Sequence, residues 1–121
     1  MQILNLRHIG IPTADLESTV AAWQKMGFEI KSSGQETING REINWVKMEN
    51  QQGYCIEVLD GGSFHVAFTV DEVVKDHYYF QAPSGVKIQF SRGPDGIGLE
   101  FVEENQKTEF VCKRSDIKME V

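Results

Sequence analysis

Four residues of the chain combine the right types with a repeated placement: His8, Glu57, His65 and Glu100. Each lies in a short apolar segment of β-like composition. His8 sits late in ILNLRHIGI and Glu57 within YCIEVLD; His65 sits early in FHVAFTV and Glu100 within GLEFVEE. Imidazole and carboxylate together suit Zn, Ni, Co, Mn or Fe. Two His and two Glu would fill four positions of an octahedron and leave two neighbouring ones for a pair of substrate oxygens. A divalent ion held there could stabilise an oxyanion as a Lewis acid. Taken singly, a strand His is commonly a core or surface residue, and a strand Glu commonly faces water. The set reads differently, because Glu57 and Glu100 are each flanked by apolar residues, where an unpaired carboxylate is costly to bury.

The elements that must hold these residues follow from pattern. Residues 3–11 read as a strand stopped by Pro12. Residues 13–26 read as a helix, with Thr13 or Asp15 as N-cap, Leu16, Val20, Trp23 and Met26 on one face, and Gly27 as the stop. Residues 28–32 and 41–49 are strands joined around Asn39-Gly40, a strong hairpin signal. Gln51-Gln52-Gly53 turns into a strand at 54–60. After Gly61-Gly62 come a strand at 64–70, a short helical stretch at 71–80, and strands at 86–92 and 98–104, the last two joined by the turn Gly93–Gly96. Residues 108–114 are expected to add an edge strand or an arm onto a partner. This order is a weak internal repeat: a single domain over 1–121, with module one at 1–60, module two at 61–104 and a C-terminal extension at 105–121.

Bulk properties narrow the function. The 121 residues allow one ordinary domain. The net charge of −6 and the absence of a basic stripe argue against nucleic acid and anionic membrane. No apolar run approaches the ~20 residues of a membrane span. Cys55 and Cys112 form no CxxC, and the start MQILNLRHIG lacks a signal-peptide layout, so a cytoplasmic protein with free thiols is expected.

HIGIPTADLESTVAAWQKMGFEI, HVAFTVDEV and GPDGIGLEFVE resemble, in that order, segments of the vicinal-oxygen-chelate superfamily of glyoxalases, bleomycin-resistance proteins and dioxygenases. The last resembles the closing Asp-Pro-Asp-Gly-Asn-x-Ile-Glu pattern, with Gly93 and Ile97 departing from it. The resemblance spans about residues 3–104. It implies an α+β fold of two βαβββ modules curling one mixed sheet into a cup. It also implies one divalent metal ion per site, held by His8, Glu57, His65 and Glu100, with Glu100 or Glu57 moving a proton. The expected function is a metal-dependent lyase or isomerase of glyoxalase or epimerase type, acting on a small molecule with adjacent oxygens, as a homodimer. The arginine and asparagine pattern that holds glutathione is not found. An iron-dependent ring-cleaving dioxygenase using His8, His65 and Glu100 is an alternative, although Glu57 would occupy space that dioxygen needs. A drug-binding protein of bleomycin-resistance type is another. Trp45, Tyr54 and Arg92 are the candidate substrate-binding residues, and His77 a candidate proton shuttle.

Overall fold

The computed structural model describes residues 1–81 and 85–104. Eight strands form one curled, mixed sheet: β1 (Ile3–Pro12), β2 (Glu29–Ile38), β3 (Arg41–Glu49), β4 (Cys55–Leu59), β5 (His65–Val70), β6 (Phe80–Gln81), β7 (Lys87–Arg92) and β8 (Gly98–Glu103). Their order across the sheet is β2-β3-β4-β1-β5-β8-β7-β6. The two first strands, β1 and β5, pair antiparallel at the centre; each is flanked by its module's last strand, β4 or β8, in parallel. The four strands that carry the candidate ligands are therefore adjacent.

Local chemistry explains the first module. The helix α1 (Leu16–Lys25) starts at Asp15, whose carboxylate accepts the Ser18 N–H at 3.1 Å. It ends before Gly27, whose φ of +99° suits a residue without Cβ. Asn39 and Gly40 both take positive φ, 52° and 78°, as the two-residue hairpin expected from their types requires. Residues pointing to opposite sides alternate along each strand. Ile11, Met48, Ile56 and Val58 face α1, where they pack with Val20, Trp23 and Phe28. The residues between them face the other way, into the cup.

The second module departs from expectation at residues 71–80, where turns and the short β6 replace the expected helix. The physical reason lies in one buried amide. Gln89 of β7 accepts the Val74 N–H at 3.0 Å and donates to the Val74 carbonyl at 2.9 Å, with further donation to His77 and Tyr78 carbonyls. It thereby satisfies backbone groups that a helical ladder would otherwise serve. β-Branched Val73 and Val74 also favour the irregular path. Val73, with Val70 and Phe101, forms a small core in the place of a helix. Strand β2 runs longer than the expected 28–32, continuing along the hairpin to Ile38. The strand expected at 108–114, with Cys112, lies outside the described residues. Cys55 is half-buried at the start of β4, where its Sγ donates to the Gly53 carbonyl at 3.5 Å. Among the described residues no helix is long and apolar enough to cross a membrane.

Candidate metal centre

Strand register brings the four candidate ligands onto two adjacent rows of the cup floor. In one row Gly10 of β1 pairs with Glu57 on one side and His65 on the other. In the next, Ala67 of β5 pairs with Glu100 and with His8. Each row thus holds a His and a Glu either side of a small residue. A register shift between Leu6 and His8 resets the alternation of β1 and brings His8 to the floor.

Their polar atoms converge. His8 Nε2 and His65 Nε2 are 3.3 Å apart. Glu57 Oε1 lies 3.3 Å from His8 Nε2 and 3.4 Å from His65 Nε2. Glu100 Oε1 lies 3.6 and 3.3 Å from the same two atoms. All four ligand atoms fall within 4.8 Å of one another. His8, Glu57 and Glu100 are buried, and His65 is nearly so. Two imidazole nitrogens that face each other at this distance cannot both direct a proton there. Their lone pairs, joined by two carboxylate oxygens, suit a shared cation. His65 Nδ1 lies 3.0 Å from the Ser63 carbonyl, to which it donates, so its Nε2 is left to face the cluster. The residues present fit a divalent ion, one in four-ligand contact with a single chain.

In the metal-free protein these groups shift one another's pKa values. Burial alone would lower the His65 pKa, but hydrogen bonds to Glu100 and Glu57 win and lift it to about 10. Burial likewise pushes Glu100 up, and the bonds from His65 and His8 overcome it, leaving about 2. Glu57 is held well below the usual carboxylate range: burial raises it, and Lys47 and both imidazoles more than reverse that.

Two residues that the sequence reading passed over shape the cluster. Lys47 is buried and its Nζ lies 3.1 Å from Glu57 Oε2. A signal for it was present. Counting outward from the turn at 50–53, Glu49 pairs with Cys55 and Lys47 with Glu57. Gly10 is the second. A Cβ there would fall inside the His65 imidazole, so no other residue permits this ring position.

The candidate substrate residues scatter. Trp45 lies on the cup face of β3, with Lys47 Nζ 5.0 Å from its ring centroid. Its indole sits over Gly34, where a Cβ would meet Cζ2 at 2.6 Å. Arg92 is exposed at the end of β7 and donates to the Gly96 carbonyl at 2.8 Å. Tyr54 is 67% exposed in the turn before β4, away from the ligand rows. His77 is exposed beside Asp76. Phe90 pairs in register with Glu100 and stacks on Phe80.

No protein-family model and no curated protein matches the chain. Solved structures do match its fold. A V278E glyoxalase I from Zea mays aligns with a TM-score of 0.62 at 14% identity, covering 88% of this chain and 45% of that one. An E144Q glyoxalase I from Zea mays aligns with a TM-score of 0.62 at 13% identity, covering 88% and 46%. The chain spans less than half the length of those structures. At such identity the likeness is one of fold, and the fold is that of the glyoxalase and vicinal-oxygen-chelate proteins.

Proposed function

We propose that this chain is a divalent-metal-dependent lyase or isomerase of glyoxalase or epimerase type, acting on a small molecule with two adjacent oxygens. The observation that carries the reading is the convergence of two Nε2 and two Oε1 atoms, from four neighbouring strands, on one buried point. His8, His65, Glu57 and Glu100 would hold the ion. The ion, of the Zn, Ni, Co, Mn or Fe kind, would supply Lewis-acid stabilisation of charge developing on the two substrate oxygens. Glu100 takes the proton from the carbon beside the carbonyl and returns it to the same or the neighbouring carbon. Phe90, 59% exposed beside Glu100, offers an apolar wall to the substrate. The reading includes a homodimer, with all four ligands drawn from one chain and the second copy adding none. It places the protein in the cytoplasm.

The test is exchange of the carbon-bound proton in D2O. The metal-loaded protein is screened by NMR against 2-oxoaldehydes, their thiol adducts and epimerisable thioesters. Glu100→Gln is expected to lower exchange at least about 100-fold, the usual size of a lost general base, with a smaller effect on metal affinity. Equal exchange in the variant would remove Glu100 from the role. Exchange with none of these substrates would set aside the enzymatic reading.

A further inference from the structure

The two carboxylates occupy matching places, yet their surroundings differ. Glu57 has both oxygens engaged: Oε1 faces the imidazoles, and Oε2 meets Lys47 at 3.1 Å. Glu100 presents Oε1 to the same imidazoles, and among the described residues no cation meets its second oxygen. The register makes the contrast exact in position. The cross-strand partner of Glu57 is Lys47, and the cross-strand partner of Glu100 is Phe90. Lys47 is 2% exposed, whereas Phe90 is 59% exposed.

We propose that Lys47 is a positioning residue that clamps Glu57, so that Glu57 offers a single oxygen to the centre while Glu100 stays free to swing. A buried ammonium is costly unless paired, so the Lys47–Glu57 pair resists opening. Contact of Lys47 with the Trp45 face restrains the ammonium from a second side. A carboxylate gripped at both oxygens keeps one rotamer and one coordination mode. A carboxylate gripped at one oxygen can rotate away and return, as a proton shuttle must. The consequence for catalysis rests on the metal-dependent reading above; the clamp itself does not.

The metal-free protein supplies the first test. Carbon-13 relaxation of the side-chain carboxyls should show Glu57 more ordered than Glu100; equal order would overturn the proposal. In urea unfolding, Lys47→Met with Glu57→Gln should fall no further than the worse single variant, while Lys47→Met with Glu100→Gln should show both losses summed. Additive losses for Lys47 with Glu57 would also overturn it. Cobalt(II) supplies the second test. Release of Glu57 in Lys47→Met should add its second oxygen to the ion, weakening the visible absorption as coordination number rises, and Lys47→Arg should restore the original spectrum. An unchanged spectrum in Lys47→Met would assign Lys47 a structural role alone. Should the unaltered protein not bind cobalt, relaxation and unfolding decide the clamp, and the metal reading is decided separately by reconstitution with Zn, Ni, Mn and Fe(II).

Discussion

The two modules hold equivalent candidate ligands on differently built supports. In the first, α1 covers the outer face of the sheet, and Val20, Met48, Ile56 and Val58 form a continuous apolar layer beneath it. In the second, the chain at 71–79 covers the corresponding face through Val73 and the partly buried Tyr79, with the amide of Gln89 fastening its backbone. The cup side differs too. Module one sets a buried cation beside its glutamate, and module two sets an exposed ring there. A repeat can preserve its candidate ligands while diverging in what surrounds them. Module one encloses its glutamate beside buried Lys47, and module two leaves exposed Phe90 beside Glu100.

The largest expected effect tests the outer layers. Met48→Ala, which empties a fully buried site, should cost about 2–5 kcal/mol. Val73→Ala removes less volume from a smaller cluster and should cost about 2 kcal/mol. Urea unfolding followed by circular dichroism measures both; a greater loss at Val73 would break the contrast.

Next comes the floor. Gly10→Ala drives a methyl into the His65 ring and should weaken cobalt binding about 100-fold. Ala67→Gly, at the matching place in the other row, should change it by less than about threefold, there being no ring to displace. Calorimetric titration of both variants compares the rows. Gln89→Leu should then loosen module two selectively, costing about 1–3 kcal/mol for the unpaired backbone groups. Hydrogen exchange should quicken at Val74 and neighbours, with α1 unchanged.

A further contrast is the pH dependence of the metal-free protein. The His65 pKa is raised from 6.5 to about 10, so its stabilisation is complete below the unfolded value and is lost as pH rises through about 10. The Glu100 pKa is lowered from 4.5 to about 2, so its contribution is present above the unfolded value and is lost as pH falls toward about 2. Thermal midpoints should therefore form a plateau between these unfolded values and decline on both sides. His65→Asn should flatten the alkaline decline.

Much of this was legible in the residues. The hairpin at Asn39-Gly40, the cap at Asp15 and the stop at Gly27 depend on local chemistry, which one short segment carries. The cluster of His8, Glu57, His65 and Glu100 was legible because Glu57 and Glu100 sit among apolar residues, where a carboxylate is out of place, and each is matched by a His in its own module. Residues 71–80 were misread because a distant side chain, Gln89, decides their backbone partners, and no local pattern announces it. Gly10 and Lys47 escaped for a related reason: their roles exist only across strands, in the pairing of Gly10 with His65 and of Lys47 with Glu57. Trp45 could be read as a cup residue, whereas the exposure of Tyr54 depends on the turn it occupies.

The most direct measurement of the central claim is metal content by elemental analysis. The protein would be stripped, reconstituted in turn with Zn, Ni, Co, Mn and Fe(II), and dialysed, with His8→Ala carried alongside. About one ion per chain with at least one of these metals, lost in His8→Ala, is the expected result. No retained ion with any of the five, or equal retention in His8→Ala, would contradict a metal centre at His8, Glu57, His65 and Glu100.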